Sequence, residues 1–392
     1  MIDAGSTGTR IHVYEFEARV LSRRVQVERA VAGRRLTFPT TDTRWTDRLK
    51  PGLDAFGYVD DFDDMRRQVQ NYLQPLLDFA KLVTETKKDR WHRFPIYLKA
   101  TGGLRTLPRP YRLRLVEAVR ACFFDEAFNP FMFEEEHARV ISGEEEAIYG
   151  WTAVNFVKGT LLTNSEGTGS VLKPALTYGV LEMGGASTQI GFFEPHGDVM
   201  ANLFKMQIGA SKHWNVYCHS FLYFGVNGAY ARLNARLCTE HQLQRDVDGA
   251  GVNIADADNG GGETAPTAPT DSVYSPCLPG GASYQFTSRV HLNPNNTLLP
   301  LSSPGNASIL EADLYTTKMR NPNKRGDPDA CQALVIKLLR REANAWCLFS
   351  HDRDCSFAGV YQPPLPIGSE YFGEFIGKED VRKELSFRFF CD

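Results

Sequence analysis

Two stretches of this chain share one pattern of apolar and polar positions. Residues 2–15 and 181–194 each read as apolar, acid, any residue, glycine, three small residues, threonine and a polar residue, then an apolar-rich run ending in glutamate. Asp3 precedes its counterpart Glu182 by 179 residues. An apolar strand, a tight glycine turn and a returning strand fit such a pattern. Two copies half a chain apart predict two related lobes, each opening with the same hairpin. Between the copies, Val69, Tyr72, Leu73, Leu76, Leu77, Ala80 and Val83 recur at helical spacing within Asp61–Lys87, with a kink expected at Pro75. Phe94–Ala100 reads as a strand running into Thr101-Gly102-Gly103, Tyr111–Phe124 as a helix and Arg139–Ser142 as a short strand. Glu144–Phe156, Phe224–Leu237 and Asp329–Phe349 read as further helices. Strands alternating with helices predict an α/β protein.

The stretch 246–271 is rich in Gly, Ala, Thr and Asp and predicts a flexible insertion, with a smaller loop of the same kind at Thr163–Lys173. The repeat sets the expected domains: a first lobe of residues 1–155 and a second of 156–392 that carries the insertion. No apolar run is long enough to span a bilayer. No leader is read at Met1-Ile2-Asp3, so any targeting segment or membrane anchor is expected outside this sequence.

Charge then narrows the partners. Lys and Arg total 44 against 47 Asp and Glu, a net charge of −3. That balance gives no reason to expect nucleic acid or an anionic membrane as partner. A phosphorylated ligand must be held locally, by backbone donors and a metal. Of the eight cysteines, six follow Cys218 and none forms a C-x-x-C pair, which favours disulfides over zinc chemistry. Two sequons, Asn295-Asn296-Thr297 and Asn306-Ala307-Ser308, point with them to a secretory compartment.

Four constellations carry the candidate chemistry. In Asp3-Ala4-Gly5-Ser6-Thr7-Gly8-Thr9-Arg10, small residues let the backbone approach a ligand, and successive N–H groups can form a nest for phosphate oxygens. Asp3 can hold a metal-bound water. Glu182-Met183-Gly184-Gly185-Ala186-Ser187-Thr188-Gln189 offers the same chemistry from the second lobe. Either turn alone is readily an ordinary hairpin; a matched pair can clamp a polyphosphate with a metal between. The third constellation is Ser142-Gly143-Glu144-Glu145-Glu146. Three carboxylates at a helix start are ordinarily solvated charges that offset the dipole. Beside two phosphate turns, however, one of them suits a base that deprotonates water. The fourth is Lys99-Ala100-Thr101-Gly102-Gly103-Leu104-Arg105, where a strand ends at a turn. Sites in α/β sheets collect at strand C-termini, so Thr101 can orient a metal-bound water. Lys99 and Arg105 are expected to serve structure.

Together DAGSTGTR, KATGGLR, ISGEEEAIYGW, LEMGGASTQI and Tyr217–Gly225 resemble, in order, the signature stretches of the apyrase family, which includes ecto-nucleoside triphosphate diphosphohydrolases and Golgi guanosine diphosphatases. The likeness runs from residue 3 to about 225 and continues weakly through Ser275–Leu278 and Cys355–Pro364. It implies an actin-like fold of two ribonuclease-H-like lobes with the active site in the cleft between them. It also implies Mg²⁺ or Ca²⁺ held largely through water, and stepwise removal of the terminal phosphate of nucleoside di- and triphosphates. By motif position, Glu145 would be the general base, with Ser187 and Gln189 holding the attacking water. Asp3, Thr101 and Glu182 would anchor the metal's hydration shell. Ser6, Thr7, Gly8 and Thr9, with Gly184, Gly185 and Ala186, would bind phosphates. Tyr371 and Phe372 are stacking candidates for the nucleobase.

The family usually has Asp where Glu182 stands. The first turn, STGTRIHVY, is closer to the guanosine/uridine diphosphatase branch, which favours GDP and UDP. The family pattern also extends beyond both ends of this sequence, so a shortened chain is expected. The implied compartment is the lumen of the secretory pathway (Golgi or endoplasmic reticulum) or the extracellular space. The alternatives are an inactive nucleotide-binding or surface protein of this fold, and another actin-fold phosphotransferase or exopolyphosphatase.

Overall fold

The computed structural model describes residues 1–16, 39–158, 160–161, 177–194, 202–208, 212–250, 272–288, 315–339 and 371–372. Two compact units divide the chain, Met1–Val226 with Pro363–Val381 and Asn227–Gln362 with Arg382–Asp392.

The first unit holds two five-stranded sheets. One comprises β1 (Ile2–Gly5), β2 (Gly8–His12), β3 (Thr46–Leu49), β4 (Leu98–Ala100) and β5 (Ala138–Val140), ordered β3-β2-β1-β4-β5. β1 pairs antiparallel with β2 and parallel with β4, so its C-terminal end faces the same way as those of β4 and β5. Helices α1 (Phe62–Val83), α2 (Gly102–Thr106) and α3 (Arg109–Phe124) follow in the same part of the chain. α1 starts where the Asp61 carboxylate accepts from the Asp64 amide at 2.7 Å. It buries Met65, Val69, Leu73, Leu76, Leu77 and Ala80 along one stripe. Pro75 lies inside it, between buried leucines whose packing outweighs the missing N–H. The strand expected over Phe94–Ala100 shrinks to β4, because Pro95 has no N–H for the ladder and makes only an isolated bridge with Met132.

The other sheet comprises β6 (Gly179–Met183), β7 (Ser187–Phe193), β8 (Leu203–Ile208), β9 (Lys212–Leu222) and β13 (Tyr371–Phe372), ordered β13-β6-β7-β9-β8. Helix α4 (Gly143–Val157) packs on it, burying Ala147 and Trp151 among Val180, Trp214, Val216 and Cys218. By packing, then, the chain changes sheets at Ile141–Ser142, where Ser142 caps α4.

The repeat is exact in register. Ile2 faces Ile11 and Asp3 faces Arg10 in one hairpin; Leu181 faces Ile190 and Glu182 faces Gln189 in the other. Each pair in the second hairpin lies 179 residues after its counterpart.

The second unit contains most of α5 (Val226–Ala250), the sheet β10 (Ser272–Tyr274), β11 (Ser283–Ser288) and β12 (Tyr315–Arg320), and α6 (Pro328–Leu339). Ala235, Cys238, Val273, Leu278, Phe286 and Met319 form its core. α5 runs on into the first residues of the expected insertion, since nothing before Gly249 breaks it. Cys277 and Cys331 form a disulfide, while Cys122, Cys218 and Cys238 are buried and outside any disulfide. The sequons, the loop at Thr163–Lys173, residues 251–271 and Cys347, Cys355 and Cys391 lie outside the described residues.

Candidate active site

An open cleft of about 160 Å³ lies within the first unit. Asp3, Gly5, Ser6, Thr7, Gly8 and Arg10 line it from the first hairpin, and Glu182, Gly184, Gly185, Ala186 and Ser187 from the second. Thr101, Gly102, Glu146 and Arg48 complete it. Both glycine turns and the 101–102 turn, found separately in the sequence, therefore meet around one space. Thr9 is the exception among the expected phosphate ligands: it points into the core, fully buried, and does not line the cleft.

Close backbone approach explains the glycines. A Cβ on Gly102 would lie 2.8 Å from the Ser187 hydroxyl, so only glycine lets the end of β4 approach the second turn. A Cβ on Gly225 would lie 2.5 Å from the Ser187 amide nitrogen and 2.6 Å from that of Ala186. The Tyr217–Gly225 stretch thus buttresses the second turn from behind. Tyr223 adopts φ 70°, a left-handed conformation uncommon for a tyrosine, and its N–H donates to the Ala186 carbonyl at 2.8 Å. The Thr188 hydroxyl donates to the Phe224 carbonyl at 2.7 Å, and the Val226 N–H to the Gly184 carbonyl at 2.9 Å.

The acids divide sharply. Glu145 is the N3 residue of a capping box: the Ser142 N–H donates to its carboxylate at 2.9 Å, and the Ser142 hydroxyl accepts from the Glu145 N–H at 3.0 Å. Arg139 clamps the same carboxylate at 2.9 and 2.6 Å and, with the cap, holds it at about 2. The carboxylate of Glu145 therefore turns back to the helix start and does not line the cleft.

Glu146 does line it. Its Oε2 accepts from Arg105 at 2.6 Å and from the Gln189 amide at 3.0 Å. Its Oε1 has no hydrogen-bond partner among the described residues. Burial, against the pull of Arg105, raises it above the ordinary carboxylate range. Arg105 also donates to the Ser187 hydroxyl at 3.0 Å, and Gln189 to the same oxygen at 2.7 Å. With two donors on its oxygen, Ser187 keeps its own proton to give to the cleft. Gln189 reaches the Ser220 hydroxyl at 3.2 Å, and its Oε1 is buried without a partner among the described residues.

Glu182 and Asp3 lie nearby. Glu182 is open to cleft water but walled by protein. Burial first, then the neighbouring Glu146 and Asp3, push it up to about 7. Burial raises Asp3 as well, opposed by Arg10. Thr101, the residue before α2, donates its N–H to the Ala4 carbonyl at 3.1 Å. Tyr371 and Phe372 reach this unit by backbone, pairing parallel with Gly179 and Val180 at the edge of the second sheet.

Sequence reasoning missed Glu146, Arg10 and Arg48 as cleft residues, and Arg105 as the residue that holds Glu146 and Ser187. A signal existed for the first. Ser142-x-x-Glu145 is a capping-box sequence, which commits Glu145 to the helix start and leaves Glu146 as the next acid. Arg48 had none, because only tertiary pairing brings β3 beside β2.

This fold and cleft define a two-lobed, actin-like α/β protein built around paired phosphate-type turns. Comparison makes the assignment specific: the chain belongs to the GDA1/CD39 (nucleoside phosphatase) family, matched over residues 1–380. It is 27% identical over 385 residues to the Golgi apyrase of Saccharomyces cerevisiae, covering 95% of this chain and 51% of that protein. It is 33% identical over 244 residues to ectonucleoside triphosphate diphosphohydrolase 5 of Mesocricetus auratus, covering 61% and 45%. The chain spans about half the length of the curated relatives it matches. A crystal structure of nucleoside triphosphate hydrolases from Neospora caninum shares the fold, with TM-score 0.52, 19% identity and coverage of 86% of this chain and 65% of that one.

Proposed function

We propose that the chain hydrolyses the terminal phosphate of nucleoside di- and triphosphates by direct attack of water. The observation that carries this reading is the meeting of two register-matched glycine turns with a half-buried acid held by Arg105 and Gln189 beside Ser187. The backbone of Ser6–Gly8 and of Gly184–Ala186 receives the phosphates. Ser187 donates its hydroxyl proton to an oxygen of the reacting group. Water sits against Glu146, Ser187 and Gln189, and Glu146 takes its proton as the new P–O bond forms. Arg105 fixes Glu146 and Ser187 in one geometry. The bond from the attacked phosphorus to the bridging oxygen breaks with its electron pair going to the oxygen, which gives orthophosphate and a nucleotide one phosphate shorter. In this reading Glu146, not Glu145, is the base, because the carboxylate of Glu145 is committed to Arg139 and Ser142.

The residues fit a hard cation. Asp3 and Glu182 carry oxygen donors whose mutual repulsion and burial favour a neutralising charge, and Thr101 adds a hydroxyl. No group of three His, Cys, Asp or Glu side chains among the described residues is placed to hold an ion directly, so contact through water is the arrangement this donor set permits. Bound there, Mg²⁺ or Ca²⁺ would neutralise phosphate charge.

GDP and UDP are the favoured substrates on the wording of the first turn, with Tyr371 and Phe372 as base-stacking candidates. A secretory-lumen or extracellular location accords with the Cys277–Cys331 disulfide and with relatives named for the Golgi and for ecto-enzymes. Phosphate release from GDP, UDP, ADP, GTP, UTP and ATP, measured with each cation and with chelator, tests the reading. Metal-dependent release is expected; release undiminished by chelator would remove the cation, and no release by the folded chain would remove the activity.

A further inference from the structure

One row of residues crosses the first sheet on a single face: Arg139 beside Lys99, Lys99 beside Asp3, Asp3 beside Arg10 and Arg10 beside Arg48. The first two cations are satisfied. Arg139 holds the Glu145 carboxylate, and Lys99 donates to the Glu136 carbonyl at 3.0 Å. Arg10 and Arg48 differ. They are direct cross-strand partners, an arrangement of like charges that weakens a sheet. Among the described residues neither has a carboxylate within ion-pair distance, and Asp3 beside Arg10 shares only a longer-range attraction with it. Both line the cleft.

Arg48 is exposed, yet its guanidinium is tethered to the first turn. Its Nη2 donates to the Thr7 hydroxyl at 3.1 Å and to the Thr7 carbonyl at 3.4 Å. It lies over Gly8, where a Cβ would stand 3.0 Å from Nε. The first turn thus fixes one edge of a planar group and leaves its other N–H donors directed elsewhere. A guanidinium so held matches the spacing of phosphate oxygens, and a dianion between the two arginines would cancel their repulsion.

We propose that Arg10 and Arg48 form an anion subsite over the first glycine turn that takes a phosphate dianion. The dianion is either the orthophosphate released in the reaction or the terminal phosphoryl group of the bound nucleotide. The inference rests on the hydrolase reading only for where the phosphate comes from.

Calorimetric titration of the full chain with inorganic phosphate tests it, using wild type, Arg10→Ala, Arg48→Ala and Arg48→Lys, each checked for folding by its melting transition. Loss of a charge-assisted contact should weaken phosphate binding about tenfold in each alanine variant. Arg48→Lys should recover part of the loss through charge alone. Absence of phosphate binding by the wild type, or equal binding by both alanine variants, overturns the subsite. Nucleotide turnover by the same proteins separates the two sources. If KM rises with the phosphate constant, the group belongs to bound substrate; if the phosphate constant alone changes, it is the released product. Phosphate binding that depends on the arginines in a chain without turnover would leave the subsite standing and remove the hydrolase reading. Turnover with arginine-independent phosphate binding would do the reverse.

Discussion

The two hairpins have the same register and opposite surroundings. Position for position, Arg10 of the first corresponds to Gln189 of the second. The strand beside each hairpin adds Arg48 opposite Arg10 and Ser220 opposite Gln189. The first turn is thus edged with positive charge. The second is edged with neutral hydrogen-bonding groups and faces the acids Glu146 and Glu182. In the proposed reaction one backbone device would serve two tasks, because its third strand differs. Charge at the first turn suits holding phosphate; donors and acceptors at the second suit orienting water and receiving a proton.

That division predicts a graded set of effects. Glu146→Gln should lower kcat by about 10²–10⁴-fold with the fold intact, since it removes the proposed base. Glu145→Gln measured in parallel should keep most turnover, and the opposite ranking would return the base to Glu145. Next, Ser187→Ala should reduce kcat by about tenfold or more, whereas Ser6→Ala should act mainly on KM. If the two serines gave the same kinetic signature, the division of labour between the turns would be lost. Gly225→Ala, which drives a methyl into the amides of the second turn, should destabilise the fold by about 1–3 kcal/mol. An unchanged denaturant midpoint would mean the turn relaxes freely.

The smallest effect concerns the cap. Glu145→Gln should cost about 1 kcal/mol of stability near neutral pH, the scale of a lost cap contact with a part-exposed ion pair. The Glu145 carboxyl is held at about 2, below its ordinary 4.5. Its contribution is therefore complete above about 4.5 and disappears as the pH falls toward 2. Melting curves of variant and wild type should converge in that window; a gap that stayed constant through it would show that ionisation of Glu145 does not stabilise the fold.

Much of this was legible in sequence because it is local. The hairpins follow from glycine and alternation, α1 from the stripe Val69–Val83, and α4 from the acidic residues of its first turn. The residues that turn a cleft into a site were less legible. Arg105 meets Glu146 and Ser187 only after α2, α4 and β7 have come together. Helix α5 outran its predicted end because nothing in its sequence stops it sooner. The expectation of Glu145 as base did not weigh the capping box that Ser142-x-x-Glu145 spells out, and the proposal of Glu146 rests on that box.

The shared register also bears on the order of folding events. Each hairpin closes on itself within a few residues, Gly5 facing Gly8 and Met183 facing Thr188. The parallel pairing of β1 with β4, by contrast, joins Ile2 to Leu98. Local closure loses little chain entropy and proceeds within about 1–10 μs, whereas distant pairing must wait for the intervening helices to collapse. The chain can therefore shape both phosphate turns before the cleft exists, and assembly of the site is the docking of two ready-made parts.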